Sequence, residues 1–387
     1  MNIFNFNTTP TLIFGNGVSS IACDKILEKL GQNIFIITDS SLTNIGLNKK
    51  IIEELSQFSK LKVFDEIESD PSKQTLIKAF NVAKNFKPTG VLGFGGGSSM
   101  DIAKLVSLLM GTKQDIDNIW GVGNAKGPRL PLVLVPTTAG TGSEVTPISI
   151  ITVEDNEKKG VSTPIILPDL AVLDPELTLN LPSDITAATG VDAMVHAIEA
   201  YTSVNQNNNP ISKLLAIESL KLLGSSIETA VFDGQNIEAR KNMLLGSMMA
   251  GQAFANSPVS AVHALAYPLG GIFHVSHGLS NSLVLPHVLR FNSINTEACD
   301  KYAFLAPLIF KDINDKRNTQ LICNDFIERL ENLSSILNLP SKLRDLNIPK
   351  DACAKMAKES MKQTRLLVNN PREVTEEDAF NIYNAAW

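Results

Sequence analysis

Two patterns of apolar positions divide the chain. From residue 33 to about residue 174, short apolar runs rich in Ile, Val and Leu alternate with stretches of helical periodicity. The runs are NIFIITD, LKVFDEI, GVLGFGGG and LPLVLVPTT, and helices are predicted at 47–58, at 75–86 and from Met100. Buried strands that alternate with amphipathic helices are typical of βαβ units and a parallel sheet. The first half is therefore predicted to be an α/β domain.

The strand pattern ends near Asp174, and the remaining sequence has helical periodicity. Helices are predicted at 183–201, 211–231 and 237–254, with turn-like breaks at 204–210 and 256–258. The segment LDPELTLNLPSD, residues 173–184, is the predicted junction. We expect an α/β domain over residues 1–179 and an all-α domain over residues 180–387, which agrees with the two or three domains expected from this length.

Residues 243–289 contain no Asp, Glu, Lys or Arg, which is unusual for so long a segment. Proline, glycine, asparagine and histidine residues interrupt it, whereas a bilayer-spanning helix needs about 20 continuous apolar residues. The segment is therefore predicted to form the buried centre of the helical domain, and we expect no membrane partner.

The overall composition is that of a globular protein, with 44% hydrophobic and 19% charged residues. The net charge of −6, without any cluster of Lys and Arg, argues against a nucleic-acid partner. Four scattered cysteines form no CxxC pair and predict neither a disulfide framework nor a zinc finger. The N-terminal sequence has no signal-peptide pattern, so a cytoplasmic location is expected.

A glycine-rich turn lies between a predicted strand and a predicted helix. In GVLGFGGGSSMDIAK, Gly95, Gly96, Gly97 and Ser98 occupy this turn, where backbone amides and the start of a helix can hold a pyrophosphate. The pattern is not GxGxxG, and many strand-to-helix turns need glycine simply to make the corner. Taken alone, the turn fits either interpretation equally well.

Two further features favour a dinucleotide. The strand NIFIITD ends in Asp39, whose carboxylate can accept hydrogen bonds from ribose hydroxyls, and residues 136–144 form the hydroxyl-rich loop PTTAGTGSE. A carboxylate at this place repels a 2′-phosphate and therefore favours NAD over NADP. An aspartate that closes a strand is also an ordinary turn former, so this preference has a purely structural alternative.

Histidines are concentrated in the helical half. Asp192 and His196 are four residues apart in ATGVDAMVHAIEAY, which places both on one face of a helix that Ser183 or Asp184 could cap. The other four of the five histidines are His263, His274, His277 and His287.

The segment around these histidines predicts two further helices. The helix carrying His263 is predicted to begin with Ser257 as its N-cap and Pro258 in its first turn. Pro268 and the following Gly-Gly pair are expected to end it, and His277 is predicted to open the next helix.

A divalent cation would explain this concentration of histidines in an uncharged segment. Any single histidine here would more often be an ordinary core residue. A carboxylate with several neutral imidazoles, however, offers oxygen and nitrogen ligands and can leave one coordination position open for a substrate. The residues alone do not decide which of the histidines bind the metal.

At this point the sequence resembles the iron-containing (group III) alcohol dehydrogenase family along essentially its whole length. The motifs that carry the resemblance are LIFGNG at 12–17, GGGSSMDIAK at 95–104, PTTAGTGSEVT at 136–146, GVDAMVHAIEAY at 190–201, HALAYPLGG at 263–271, HGLSNSLVLPHVLRFN at 277–292 and NPREVTEED at 370–378. Several independent motifs in the same order make this resemblance specific.

The resemblance implies a dehydroquinate synthase-like architecture with metal and nicotinamide in a cleft between an N-terminal dinucleotide-binding domain and a C-terminal helical domain. The implied metal is Fe²⁺, with Zn²⁺ possible, and the implied ligands are Asp192, His196, His263 and His277. The implied NAD contacts are Asp39, Gly96, Gly97, Ser98, Thr137, Thr138, Thr141, and Lys158 or Lys159. His274 and His287 then have supporting or structural roles.

The sequence departs from the family pattern at two positions. The family often carries a histidine four residues after the third ligand, taken to help proton transfer, and this chain has Tyr267 there. Tyr267 is expected either to relay the proton or to line the pocket, with His274 as an alternative relay. Ser99 replaces a proline of the family's glycine-rich turn, which should leave the phosphate contacts intact.

The expected activity is hydride transfer between NAD and a small primary alcohol or diol, giving the aldehyde, in a homodimer or larger homo-oligomer. Ile148, Phe254 and Leu366 are candidates for a small apolar pocket, although each could simply be core. One alternative is a hydroxyacid–oxoacid transhydrogenase, whose substrate would need an Arg or Lys in the pocket. The others are a dehydroquinate synthase-type lyase, which would need several basic residues, and a purely structural metal clamp.

Overall fold

The computed structural model describes residues 3–154, 157–313 and 318–387, and its contacts divide the chain into two compact units. The N-terminal unit is Asn7–Asn180. The C-terminal unit is Leu181–Trp387 together with the first residues of the chain, up to Phe6.

The N-terminal unit is built on a six-stranded sheet in which every neighbouring pair is parallel, in the order β1-β9-β6-β4-β2-β3. A second sheet has the order β5-β8-β7. The strands are β1 (Leu12–Phe14), β2 (Asn33–Ile37), β3 (Lys60–Phe64), β4 (Gly90–Gly95), β5 (Gly121–Val122), β6 (Leu132–Pro136), β7 (Ile148–Thr152), β8 (Lys158–Ser162) and β9 (Leu170–Leu173). The helices are α1 (Val18–Ile21), α2 (Cys23–Leu30), α3 (Ser40–Asn44), α4 (Lys49–Ser56), α5 (Lys73–Phe86) and α6 (Gly97–Gly111).

Both faces of the six-stranded sheet are covered, which explains why its strands read as continuous apolar runs. In β2, Phe35 and Ile37 belong to the core cluster on one face. Ile34 and Ile36 belong to the cluster on the other face. The prediction of an α/β domain with a parallel sheet is confirmed.

The C-terminal unit is helical throughout its described residues. Its helices are α7 (Ser183–Thr202), α8 (Pro210–Phe232), α9 (Ile237–Asn256), α10 (Ala261–Phe273), α11 (His277–Asn292), α12 (Thr296–Ile309), α13 (Thr319–Ile336), α14 (Ala352–Ser360), α15 (Thr364–Leu367) and α16 (Glu376–Ala386). Helix α7 lies at the centre, because most of its side chains are buried and it packs against α8, α9 and α11. No helix in the described ranges is long and apolar enough to cross a membrane.

The predicted caps of α7 and α10 are wrong. Helix α7 begins at Ser183 itself, with Pro182 before it and no side-chain cap. Helix α10 begins four residues after Ser257, because the Ser257 hydroxyl donates to the Ala200 carbonyl and not to the helix end. Pro268 lies inside α10, which continues to Phe273. His277 opens α11, as predicted.

Candidate functional site

Four side chains from three helices meet inside the C-terminal unit. Asp192 and His196 come from α7, His263 from α10 and His277 from α11, and one potential ligand atom of each lies within 4.8 Å of the others. Asp192 Oδ1 lies 4.0 Å from His196 Nε2, 3.9 Å from His263 Nε2 and 3.7 Å from His277 Nε2. The structure thus brings together the four residues that the resemblance implied.

A glycine lets two of these helices approach closely. A Cβ atom on Gly278 would lie 2.4 Å from the Ala188 carbonyl oxygen and 3.3 Å from Asp192 Cβ. Any other residue would force α11 away from α7. Gly278 therefore permits the short distance between His277, at the start of α11, and Asp192.

Glu199 holds His263 in place, and the sequence analysis missed it. Its Oε2 lies 2.6 Å from His263 Nδ1, while its Oε1 accepts hydrogen bonds from the Ser260 hydroxyl and from the Val262 backbone amide. The carboxylate therefore also satisfies an amide in the first turn of α10. A signal was present in the sequence, because Glu199 is seven residues after Asp192 and lies on the same face of α7.

The hydrogen bond to Glu199 fixes which ring nitrogen of His263 faces Asp192. Because Nδ1 donates to the carboxylate, Nε2 carries the lone pair and faces Asp192. Burial alone would raise the pKa of Glu199, but its hydrogen bonds to His263 and Ser260 keep that pKa below the ordinary value. Glu199 is therefore ionised at neutral pH, as this role requires.

Asn281 reaches into the middle of these four side chains, and the sequence analysis missed it too. Its Nδ2 donates to Asp192 Oδ1 at 2.6 Å and lies 3.3 Å from Nε2 of both His263 and His277. Three lone pairs thus converge on one weakly positive amide group. The signal was its position four residues after His277, on the same face of α11.

The electrostatics of the site favour a neutral imidazole beside a charged carboxylate. Burial lowers the pKa of His196 to about 3, which leaves this side chain neutral at physiological pH. Burial would raise the pKa of Asp192, but the three imidazoles and the Asn281 amide bring it below its ordinary value. Neutral imidazoles and an ionised carboxylate are the protonation states in which these groups bind metals.

Unsatisfied polar atoms are concentrated at this site. Three buried side-chain polar atoms in the described residues have no hydrogen-bond partner, and two of them are His196 Nδ1 and Asn281 Oδ1. Stacking holds the His196 ring, which lies 4.3 Å from the Phe254 ring and 4.7 Å from the His263 ring. Because an orphaned buried group costs about 1–3 kcal/mol, such a site is not optimised for stability alone.

The remaining predicted residues of this unit lie at different places. Tyr267 is buried, its ring lies 6.2 Å from that of His277, and its hydroxyl accepts a hydrogen bond of 3.1 Å from Arg365. His274 is exposed at the end of α10. His287 lies outside the four-residue group, and burial lowers its pKa to about 4.

The three residues predicted to line a pocket also lie at different places. Phe254 contacts the site through its stacking on His196, whereas Leu366 is buried beside Arg365 in α15. Ile148 belongs to the N-terminal unit, where its carbonyl oxygen accepts a hydrogen bond from Lys104.

The glycine-rich turn of the N-terminal unit begins α6. Gly95 ends β4, Gly96 is the N-cap of α6, and Gly97 and Ser98 form its first turn, where backbone amides lack helical partners. A Cβ on Gly97 would lie 2.8 Å from Thr141 Cγ2, so glycine lets the loop at 136–144 lie against the turn. In the same loop, the Thr137 amide donates to the Gly95 carbonyl.

The other predicted cofactor contacts have structural partners of their own. Thr138 lies beside Gly96, where a Cβ would meet its side chain at 3.5 Å. Asp39 caps α3 by accepting from the Leu42 amide at 3.1 Å, which is the structural role weighed for it. In β8, Lys158 pairs with Asp70 at 2.7 Å and Lys159 with Glu157 at 3.6 Å.

A buried lysine connects the turn to its neighbouring loop, and the sequence analysis did not single it out. Lys104 of α6 is fully buried and donates to Ser143 Oγ at 2.8 Å, to Thr146 Oγ1 at 3.3 Å and to the Ile148 carbonyl at 2.7 Å. Asp101 accepts from the Ser143 hydroxyl at 2.6 Å. Both residues belong to the GGGSSMDIAK motif, so the motif also fixes the loop beside the turn.

Sequence comparison assigns both halves of the chain to one family. A profile described as iron-containing alcohol dehydrogenase matches residues 9–175. A second profile, described as the C-terminal part of the Fe-containing alcohol dehydrogenase family, matches residues 186–387. The chain belongs to the iron-containing alcohol dehydrogenase family.

Relatives and solved structures agree with this assignment. Long-chain-alcohol dehydrogenase 1 of Geobacillus thermodenitrificans is 38% identical over 368 residues, which are 93% of this chain and 91% of that protein. A crystal structure of 1,3-propanediol oxidoreductase superimposes with a TM-score of 0.94 at 30% identity, covering all of both chains. The crystal structure of sulfoacetaldehyde reductase from Bifidobacterium kashiwanohense in complex with NAD⁺ superimposes with a TM-score of 0.87 at 28% identity. The match covers 99% of this chain and 98% of that one.

As a member of the iron-containing alcohol dehydrogenase family, the chain is an oxidoreductase that interconverts alcohols and aldehydes. The resemblance seen in the sequence is thereby confirmed, and so is the combination of an α/β part with a helical part.

Proposed function

We propose that Asp192, His196, His263 and His277 bind one catalytic divalent metal ion, Fe²⁺ in the first place with Zn²⁺ as the alternative. The observation that carries the proposal is the convergence of four oxygen and nitrogen atoms within 4.8 Å, with His263 oriented by Glu199. One carboxylate and three neutral imidazoles suit either metal. Such a cation supplies Lewis-acid polarisation of the substrate oxygen and lowers the pKa of an alcohol.

The proposed redox partner is NAD. The first-turn amides of α6 and the hydroxyls of Thr137, Thr138 and Thr141 would contact its phosphates, and Lys158 or Lys159 would add positive charge. Asp39 would accept from a ribose hydroxyl and disfavour a 2′-phosphate. When bound there, NADH would supply the hydride for reduction of an aldehyde to the primary alcohol, and the proton for the alcohol oxygen would come from the protein.

Tyr267 is the proposed proton relay. It follows His263 by one helical turn, and because Arg365 donates to its oxygen, its own hydroxyl proton is directed away from the guanidinium. His274 is exposed beyond the end of α10, which supports it less well. The pocket candidate that lies nearest to the ligands is Phe254, stacked on His196.

A hydroxyacid–oxoacid transhydrogenase is the second candidate, because Arg365 supplies the cation that a hydroxyacid would need. In that reaction, the hydride removed from the hydroxyacid is returned to an oxoacid while NAD stays bound. Stimulation of turnover by an added oxoacid, without free NADH appearing, would favour it.

We also propose a homo-oligomer in a reducing compartment, the cytoplasm. Cys299 and Cys323 are neighbours and are free thiols, which fits a reducing compartment.

The proposed homo-oligomer has a candidate contact surface. Ile211 and Leu214 expose apolar side chains one turn apart on α8, which fits a subunit contact. Light scattering on the purified chain tests this, and a monomer would refute the oligomer.

The test of the activity uses metal-free protein reconstituted separately with Fe²⁺ and with Zn²⁺, and a panel of aldehydes with NADH and with NADPH. We expect turnover that requires a metal and prefers NADH. Asp39→Asn keeps an oxygen that can cap α3 but removes the charge, so it should weaken the preference for NADH without unfolding that helix. Equal turnover with and without metal would refute the proposal.

A further inference from the structure

The guanidinium of Arg365 lies beside Tyr267, whose ring neighbours that of His277. Its Nη2 donates to Tyr267 Oη at 3.1 Å, and the Tyr267 ring lies 6.2 Å from the His277 ring. Tyr267 also follows His263 by four residues and so shares its face of α10. Arg365 therefore lies one tyrosine side chain away from two of the four potential ligands.

The charge of Arg365 is not neutralised by a carboxylate within the described ranges, where no ion pair involves it. Residues 243–289, which supply Tyr267, His263 and His277, contain no charged side chain of either sign. The arginine side chain is exposed, whereas its neighbour Leu366 and its partner Tyr267 are buried. The positive charge of Arg365 thus lies beside a segment that has no charged side chain of its own, and it keeps access to solvent.

The donors of Arg365 are suited to a second partner. A guanidinium has five N–H donors in a planar fork, and the bond to Tyr267 uses only one of them. A fork fixed at one edge by a buried tyrosine loses little rotational freedom when the other edge binds a carboxylate or sulfonate through two parallel bonds. The bond to Tyr267 therefore orients the guanidinium in advance.

We propose that Arg365 is a specificity residue that binds an anionic group on the substrate, so that this enzyme prefers aldehydes with a carboxylate or sulfonate at the end remote from the carbonyl. The proposal rests on the proposed function, because the aldehyde end is placed at the four ligands. It adds a charged group to the small apolar pocket expected from the sequence. Phe254 then provides an apolar wall, and Arg365 with Tyr267 closes the far end.

The experiment compares matched pairs of aldehydes on the metal-loaded enzyme with NADH. Each ω-oxo carboxylate, with one, two or three methylene groups between its ends, is paired with the neutral n-alkanal of the same length, and an ω-oxo sulfonate forms a third arm. We expect the wild type to favour the anionic member of at least one pair. Arg365→Met should lower kcat/KM for that substrate roughly 10- to 100-fold more than for its neutral partner, because any effect of the substitution on Tyr267 is shared by both substrates.

Two further variants sharpen the result. Arg365→Lys keeps the charge but loses the fork, so it should retain an intermediate preference. Arg344→Met is the matched control, because Arg344 is exposed and lies over the Trp387 ring. It should leave both substrates unchanged. The sulfonate arm shows whether the fork accepts a second oxyanion or is specific for carboxylate.

A readout without turnover separates this proposal from the proposed function. Calorimetric titration with the product, an ω-hydroxy carboxylate, should show binding that Arg365→Met weakens by the same factor. If no aldehyde is reduced but this binding depends on Arg365, the oxidoreductase chemistry fails and the anion site stands. If Arg365→Met lowers anionic and neutral substrates equally, or if the wild type prefers neutral aldehydes in every pair, the anion site is refuted.

Discussion

Each of the two units contains a buried polar cluster, and the two clusters differ in how completely their polar atoms are hydrogen-bonded. In the N-terminal unit, the lysine cluster consists of Asp101, Lys104, Ser143, Glu144 and Thr146. In the C-terminal unit, the histidine cluster consists of Asp192, His196, Glu199, His263, His277 and Asn281. This difference in hydrogen bonding distinguishes a structural cluster from a candidate binding site.

Within the lysine cluster, the charged groups of Lys104 and Asp101 have hydrogen-bond partners. All three donors of the Lys104 ammonium have acceptors, and Asp101 accepts from a hydroxyl and from the Ile150 amide. In the histidine cluster, three lone pairs face a single amide, and two buried polar atoms have no partner. Charges that are paired and fully hydrogen-bonded indicate a structural role. A convergence of carboxylate and imidazole atoms on one point is the arrangement that the proposed metal site requires.

The largest expected effect concerns the structural cluster. Lys104→Met removes a buried cation and leaves Asp101 and Ser143 without it, so the free energy of unfolding of the N-terminal unit should fall by about 3–5 kcal/mol. Urea unfolding followed by Trp120 fluorescence in a Trp387→Phe background measures this unit, since the chain has two tryptophans. The exposed Lys84→Met is the control. A loss below about 1 kcal/mol would show that the cluster is not structural.

The next effect is a pH dependence due to Glu144, which faces Lys104 across the lysine cluster. Burial raises the pKa of Glu144 from 4.5 to about 7, and its own backbone amide and Lys104 only partly oppose this. The folded state then holds a proton that the unfolded state releases. Glu144 therefore contributes stability that is present below pH 4.5 and is lost as the pH rises to about 7.

The size of this loss follows from the pKa difference of about two and a half units, which corresponds to roughly 3 kcal/mol. Glu144→Gln should abolish that part of the pH dependence and be at least as stable as the wild type at pH 8. Asp101 and Lys104 are present in both proteins, so the difference between the two stability curves reports the titration of Glu144 together with its effect on the pKa of Lys104. Parallel curves would contradict the prediction.

The smallest of these effects concerns the orientation of His263 in the histidine cluster. Glu199→Gln keeps an oxygen for Ser260 and Val262, but it presents an amide N–H to His263 Nδ1 in place of a carboxylate. His263 must then change tautomer, and metal affinity should fall 10- to 100-fold. Competition with a chelator measures this, with the exposed Glu238→Gln as control. Unchanged affinity would mean that Glu199 only caps α10.

The sequence predicted β2, β3, β4 and β6 of the N-terminal unit because their signals are local, but it did not predict the second sheet. Strands β2 and β4 are short continuous apolar runs, and α5 follows the 3.6-residue period of an amphipathic helix. The predicted cap of α10 was wrong for a non-local reason. The hydroxyl of Ser257 is used by a carbonyl of another helix, and an amide of α10 is satisfied by Glu199, 63 residues before Val262.

The histidine cluster was only partly predictable for the same reason. Helical spacing joined Asp192 to His196, but no local pattern brings α10 and α11 to α7. Family resemblance selected His263 and His277, and Glu199, Asn281 and Arg365 emerged only from the packing. The first two share a helix face with a ligand, whereas Arg365 lies 98 residues after Tyr267, which no periodicity connects.

Metal stoichiometry is the most direct test of whether the histidine cluster binds one metal ion. His277→Ala is the variant of choice because its side chain is 36% exposed, so its truncation disturbs packing least. His287→Ala is the control. After anaerobic loading with Fe²⁺ and gel filtration, wild type and His287→Ala should retain one ion per chain, and His277→Ala should retain well under one with unchanged circular dichroism. A wild-type protein without metal, or a His277→Ala protein that binds it equally tightly, would contradict the account.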